Sequence, residues 1–464
     1  MTQGTLDGLD AAARRALLEE LLRKKGATAP PPAGPRRVAR DRAWPLSSSA
    51  EQVWFLHHLG VAVDSFHLGA MLHLRGALEP AHLEAALTQL VSRHEAFRTS
   101  FIVEGGRPLQ RILPPSPVRL PVESLERGAA AGSLLEQARD LAGEEIRRPF
   151  DLAIEGPLRL RLLRLAPDAH VLIWVVHTIA CDGLSLSQVL EEFRSVLTAV
   201  RAGEAPPGHA PELQPVDFAV WEREHLASGA GAAQLAAWTE AVASWPALLE
   251  LPRDAQPAPQ PTYRCDQVEL AVPPEVLRGL DRRCRDAGVT RFQALLLAFQ
   301  RLCRRWTGAE RLLVGVPTSG RIHPTMQAAV GRFTNTLAIR GDLREDGDDR
   351  SSLLRTRRET IEAFARQDTP FASVVAARRP ERREGQMPLV QVIFGLQTAV
   401  DEAWSVPGLE VDLAPLNGQT SPFDLTCQFF EDPRAGTLQG MFLYREELFS
   451  RSTIERAGPR RTGR

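Results

Sequence analysis

Between Val171 and Val176 the sequence runs Val-Leu-Ile-Trp-Val-Val, an apolar stretch with no polar interruption. A strand with one face in water alternates, so an unbroken run of this length predicts a strand buried on both faces, with layers packed above and below it. The segment directly after it is polar: His177-Thr178-Ile179-Ala180-Cys181-Asp182-Gly183. Beyond that, Leu186, Val189, Leu190, Phe193, Val196, Leu197 and Val200 recur at helical spacing and predict an amphipathic helix over 184–200. Strand, turn and helix in that order imply a layered α/β structure. A helix start offers free backbone N–H groups. Polar side chains gathered at the end of a buried strand, beside such a start, are well placed for chemistry, and Gly183 permits a tight turn there.

The rest of the 464 residues extends this pattern. Strands are expected at His67–Leu74, Leu158–Leu165 and His170–Val176, and a helix at Glu79–Ser92. Proline-rich breaks at Arg201–Pro211 and Asp254–Pro261 interrupt the order, after which it recurs. Strand Gln267–Val272 precedes helices Pro274–Ala287 and Arg291–Trp306, then strand Arg311–Val316. Later strands are expected at Leu389–Leu396, Leu425–Phe430 and Leu438–Tyr444. A chain of this length suits two domains, and the mixed pattern gives two α/β (α+β) lobes, 44–205 and 206–450. Residues 1–43 read as a short docking-type helix over 7–25, with Asp10 as its N-cap, followed by a linker through Pro30, Pro31 and Pro32. Residues 451–464 read as a disordered or truncated tail, since Gly458-Pro459 cannot continue a helix.

Composition removes several functions. Arginine and lysine number 56 against 57 acidic residues, so there is no basic surplus for nucleic acid or anionic membrane. The five cysteines (Cys181, Cys265, Cys284, Cys303, Cys427) are scattered and include no CxxC pair, which supports neither a metal site nor a disulfide framework. No apolar run reaches membrane-spanning length and no signal-peptide core opens the chain, so a cytoplasmic protein is expected. Phosphate-loop, dinucleotide and Gly-x-Ser-x-Gly motifs are absent from the sequence.

The polar turn resembles the His-His-x-x-x-Asp-Gly motif of nonribosomal peptide synthetase condensation domains, whose fold is related to chloramphenicol acetyltransferase. Further segments strengthen the resemblance. Pro45-Leu46-Ser47 with Trp54-Phe55-Leu56 is similar to the family's opening motif, and Arg93-His94-Glu95-Ala96-Phe97-Arg98-Thr99-Ser100-Phe101 to its second. Asp217-Phe218-Ala219-Val220-Trp221 resembles the motif at the lobe junction. Val330-Gly331-Arg332-Phe333-Thr334-Asn335-Thr336 resembles the Gly-x-Phe-x-Asn-Thr motif. Gln367-Asp368-Thr369-Pro370-Phe371, Pro388-Leu389-Val390-Gln391-Val392 and Phe423-Asp424-Leu425 complete the set, in the family's order.

The resemblance implies a V-shaped pseudo-dimer of two lobes with a tunnel between them, lined by Asn335, Thr336 and Ser421. It implies donor and acceptor carrier proteins as partners; the 7–25 helix, marginal alone, either packs onto its own globule or docks to a neighbouring synthetase module. No cofactor is bound by the chain itself, and phosphopantetheine arms arrive on the carriers. It also implies a structural pair of Asp182 with Arg98. The departures are specific. Thr178 stands where the family has its catalytic histidine, and an alcohol cannot accept a proton near neutral pH as an imidazole can. His177 holds the family's first, structural position, and its side chain is expected to point away from that of Thr178. Ala50, Gln52 and Pro215 also depart from the usual residues, while His177 argues against the heterocyclisation branch. The expected protein is therefore a condensation-like module with lost or altered amide-forming activity. The alternative is weak or unusual condensation, of amide or ester, by substrate positioning. A third reading, Thr178 as nucleophile, needs an adjacent base, and only His177 is near in sequence.

Overall fold

The computed structural model describes residues 34–126, 133–255, 260–344, 348–381, 383, 385–399, 403–432 and 434–457. The expected helix over 7–25 and residues 458–464 lie outside the described residues. The strands are β1 (Trp44–Pro45), β2 (His67–Gly76), β3 (Thr99–Glu104), β4 (Arg107–Ile112), β5 (Val122–Ser124), β6 (Leu158–Ala166), β7 (Ala169–His177), β8 (Cys265–Ala271), β9 (Arg311–Thr318), β10 (Asn335–Asp342), β11 (Val392–Thr398), β12 (Ala403–Val406), β13 (Leu409–Asn417), β14 (Leu425–Asp432) and β15 (Thr437–Arg445). The helices that matter for the site are α1 (Ser48–His58), α2 (Pro80–Arg93), α3 (Leu134–Arg147) and α4 (Gly183–Ala202) in the first half. The second half adds α5 (Pro215–Ala227), α6 (Gly229–Ala243), α7 (Pro274–Ala287), α8 (Arg291–Thr307), α9 (Asp349–Phe364), α10 (Phe371–Arg378) and α11 (Arg451–Ala457).

Two six-stranded sheets organise the chain, in the orders β12-β13-β2-β7-β6-β5 and β10-β9-β11-β14-β15-β8. A small antiparallel sheet, β1-β4-β3, stands beside them. β7 runs between β2 and β6, and every residue from Val171 to Val176 is buried, as its unbroken apolar run requires. α4 follows as expected from its apolar stripe. Asp182 caps its start by accepting from Ser185 N–H at 2.9 Å, and Gly203 closes it in the left-handed region at φ 69°. Val189, Leu190, Phe193, Val196 and Leu197 on its inner face join the core of the first sheet.

Three sequence expectations are corrected. Residues 206–450 do not form one lobe, because β13 leaves the second half and pairs antiparallel with β2, from Leu409↔Gly76 to Asn417↔Leu68. Val406, Leu409, Val411 and Leu413 go into the first core with it. Burial at about 1.5–3 kcal/mol per large apolar side chain makes this exchange a strong tie between the halves. Residues 34–43 are not a free linker either. Val38 N–H donates to Asp217 Oδ1 at 2.8 Å, and Arg40 bridges Glu95 at 2.9 Å and Asp217 at 2.7 Å. Finally, 451–457 is a helix rather than a disordered tail. Ile454 and Ala457 of α11 are buried against the second core, and Arg305 holds the Ala457 carbonyl at 3.1 Å.

The proline-rich break at 206–207 is also anchored. Arg93 Nη1 donates to the Pro207 carbonyl and to Glu192, each at 2.7 Å, and His94 meets the same carboxylate at 2.6 Å. Gln214, at the head of α5, accepts from Glu95 N–H at 3.1 Å and donates to the Arg93 carbonyl at 3.0 Å. The Arg93-His94-Glu95 segment thus fastens the junction between the halves.

Candidate active site at the strand-to-helix turn

β7 ends on His177, opposite His67 of β2. The turn leaves the sheet with Thr178 N–H donating to the Phe66 carbonyl at 2.6 Å, and closes with Ala180 N–H on the His177 carbonyl at 3.0 Å. His177 is fully buried among aromatic neighbours, with ring centroids of His57 at 5.0 Å, His67 at 5.5 Å and Phe150 at 5.6 Å. Its Nδ1 accepts from Ile179 N–H at 3.1 Å, so the ring proton resides on Nε2 and is directed at His57 Nδ1, 3.3 Å away. Burial pulls the His177 imidazole well below its ordinary value, aided by the charges of His67, His57 and Arg332. Burial likewise pulls His67 down to about 4, despite the 2.7 Å bond from its Nδ1 to the Ile146 carbonyl. His177 is therefore a neutral ring with both nitrogens engaged.

Thr178 is 6% exposed, and its hydroxyl oxygen is enclosed without a hydrogen-bond partner among the described residues. A buried hydroxyl left in this state is costly, and Nε2 of the neighbouring His67 shares the condition. Cys181 is no substitute: it is fully buried, and burial together with Asp182 holds its thiol well above the usual range. Gly183 opens α4 with no positive φ, and a Cβ there would meet nothing within 4 Å. Neither a strained turn nor a close neighbour requires glycine there.

Asp182 does not pair with Arg98. Arg98 ends a short 3-10 turn, reaches back to Glu95 at 3.7 Å and donates to the Leu113 carbonyl. The partner of Asp182 is Arg321, whose Nη1 and Nη2 meet Oδ2 and Oδ1 at 3.1 Å each, with both side chains almost wholly buried. Phe333 N–H adds a bond to Oδ2 at 3.0 Å, and Asp182 N–H donates to the Gly331 carbonyl at 3.0 Å. Ser185 completes the clamp, its hydroxyl accepting from Gly331 N–H and donating to Gly331 O at 2.9 Å each. The turn is thereby bolted to the segment 319–333 of the other half. Two glycines make the approach possible. Gly320 has φ +63°, and a Cβ on it would lie 1.7 Å from the Phe333 carbonyl oxygen. A Cβ on Gly331 would lie 2.4 Å from Pro215 Cγ, which relates the unusual Pro215 to this contact.

Sequence reasoning missed Arg321 and Ser185. Nothing in the linear pattern marks Arg321 beyond the Gly320 before it, since its partner is 139 residues away. Of the expected tunnel residues, Asn335 and Thr336 open β10 and Ser421 precedes β14. Asn335 uses all four of its side-chain hydrogen-bonding positions inside the protein: to Gln367 O at 2.9 Å, Thr369 O at 2.8 Å, and from Thr336 N–H and Phe371 N–H at 2.9 Å. It joins β10 to the Gln367–Phe371 segment and has no group left for a ligand. Thr336 continues β10 opposite Pro317. Ser421 is buried and accepts from Phe423 N–H at 3.1 Å. His57, His67 and His177 do not constitute a metal-binding group, and none of three or more ligands occurs among the described residues.

The sequence profile of the condensation domain matches residues 41–460. The chain belongs to the condensation domain family. Its two-lobed architecture is the one related to chloramphenicol acetyltransferase. Among curated relatives, malpinin synthetase of Mortierella alpina is 34% identical over 420 residues, covering 90% of this chain. Tyrocidine synthase 3 of Brevibacillus parabrevis is 31% identical over 413 residues, covering 89%. The chain spans only 5% and 6% of those proteins' lengths. Among solved structures, the X-domain from teicoplanin biosynthesis matches with a TM-score of 0.82 at 25% identity, covering 91% of this chain and 94% of that one. In the complex of that X-domain with OxyB the match has a TM-score of 0.83. No described helix of this condensation domain is long and apolar enough to cross a membrane.

Proposed function

We propose that this condensation domain receives carrier-tethered acyl and aminoacyl thioesters in a peptide assembly line but does not catalyse amide formation between them. The observation that carries the reading is the state of the turn: Thr178 supplies an enclosed hydroxyl, and the adjacent His177 is neutral with both ring nitrogens occupied. Amide formation requires the attacking ammonium to lose a proton, and within this turn no side chain with a free lone pair accepts one near neutral pH. The rest of the architecture is kept. Asp182 still caps α4 and still ties the turn to the opposite half, so what the turn lacks is the proton acceptor rather than its frame.

Such a module serves as a platform, presenting carriers and their cargo to a protein that performs the chemistry. The structural likeness to an X-domain that forms a complex with OxyB supports this role. The partners are donor and acceptor carrier proteins, with neighbouring synthetase modules contacted through residues 7–25, and the phosphopantetheine arms are theirs. Orientation alone is worth ~7–11 kcal/mol in well-placed reactions, so residual condensation is the reading to test against. The native chain is expected to bind acyl-loaded carrier protein saturably while yielding no condensed product in a single-turnover assay read by mass spectrometry. Thr178→His is expected to raise product formation at least about 10-fold, within the roughly 10²–10⁴ that a general base supplies. Absence of carrier binding, or efficient condensation by the native chain, contradicts the proposal.

A further inference from the structure

Arg332 is unlike the other arginines around the turn. Its backbone neighbours are pinned, Gly331 by its carbonyl to Asp182 N–H and Phe333 by its N–H to Asp182 Oδ2, each at 3.0 Å. The side chain between them reaches to the first turn of α1, where Nε donates to the Ser49 carbonyl at 3.3 Å. That is its one hydrogen bond, and no carboxylate pairs with it among the described residues. Arg321, in the same segment, engages Asp182 through both Nη atoms and also reaches Ser185 and the carbonyls of Ser319 and Ala329. Asp182 cannot serve Arg332 as well, since its oxygens already receive Arg321, Ser185 N–H and Phe333 N–H.

Arg332 is nonetheless deep in the molecule. Burial pulls its guanidinium down to about 10, with Asp182 opposing, and its charge is felt by His177 at the other end of the turn. At neutral pH it stays a cation. Yet the side chain is partly accessible to solvent. A cation held at depth, open to water and with no carboxylate bonded to it among the described residues, is costly unless a partner arrives from outside. The two nitrogens left without protein acceptors, Nη1 and Nη2, form the end of the guanidinium fork, which matches a carboxylate or phosphate in a two-point contact.

We infer that Arg332 is a specificity-determining residue that binds an oxyanion of the ligand held beside the turn, namely a carboxylate on the tethered acyl or aminoacyl group. An oxyanion could also come from the phosphodiester of the carrier's arm. That phosphate lies at the opposite end of the arm from the thioester, so a group whose charge reaches His177 in the turn meets the acyl end. This rests on the reading of the turn as the place where carrier-tethered thioesters come.

The test titrates the full chain by calorimetry with three probes: the glutaryl thioester of N-acetylcysteamine, its neutral glutaramyl counterpart, and phosphopantetheine without an acyl group. The glutaryl thioester is expected to bind about 10–100-fold more tightly than the glutaramyl one, the worth of a charge-assisted hydrogen bond. Arg332→Gln is expected to abolish that preference, and Arg332→Lys to keep part of it. Equal binding of the two thioesters by the native chain overturns the assignment of Arg332 and leaves the thioester reading standing, whether or not the variants fold. An Arg332-dependent gain for phosphopantetheine alone overturns the carboxylate assignment. Failure of both thioesters to bind overturns the functional reading and the inference with it.

Discussion

Asp182 at the turn and Asp424 in the second half are both buried against arginine, but they are held in different ways. Asp182 receives two guanidinium bonds from Arg321 at 3.1 Å and backbone N–H groups from Ser185 at 2.9 Å and Phe333 at 3.0 Å. Asp424 receives Arg445 and Arg253 at 3.4 Å each and Gln386 at 2.9 Å, all from its own half. Burial pushes the Asp424 carboxyl above its ordinary value, against the pull of Gln386 and the two arginines. The contrast shows what short backbone donors add. They make Asp182 a fixed joint between the halves, whereas Asp424 is a looser anchor within one of them.

The comparison breaks most readily at Arg321. Arg321→Ala leaves Asp182 buried without a cation, and the expected loss is about 3–5 kcal/mol in chemical denaturation. A loss under about 1 kcal/mol means that the backbone donors suffice and the joint is not electrostatic. Arg98→Ala, at the position first expected to hold Asp182, removes only a partly exposed contact to Glu95 and a backbone bond, so a smaller change is expected in the same assay. Equal losses for the two variants contradict the pairing of Asp182 with Arg321.

Asp424 sharpens the comparison through pH. Its folded carboxyl is raised above the ordinary 3.8, so the folded state binds this proton more tightly than the unfolded chain does. The stabilisation is fully present below the unfolded value and is lost as pH rises through the folded one. Asp424→Asn is expected to flatten the fall in melting temperature over that window, by the smallest effect of the three. An unchanged pH profile in the variant contradicts the weak-anchor description.

Much of the frame was legible in the chain. Helix α7 occupies Pro274–Ala287 as its N-terminal proline and the Gly288 beyond its end dictate. The strand β7 and the turn followed from one apolar run and the polar residues after it. Where expectation failed, long-range pairing decided. The hairpin β12–β13 carries no local mark of joining β2, which lies more than 300 residues earlier in the chain. Arg321 was invisible for the same reason, while Arg98 stood in a recognisable motif and attracted the assignment. Asn335 was read as a ligand-facing amide, and only its four internal bonds reveal a structural staple. Helix α11 forms as Ile454 packs into the second core and Ala457 is buried beside it.

The central claim is that the turn holds no proton acceptor in place of the family's histidine, and Thr178 itself tests it most directly. Carriers loaded with an acyl donor and an aminoacyl acceptor are mixed with the native chain or with Thr178→Ala, and amide product is followed by mass spectrometry over a single turnover. The account predicts that both proteins stay at the uncatalysed background and cannot be told apart. Robust product from the native chain that disappears in Thr178→Ala would show the hydroxyl taking part in condensation, and would contradict it.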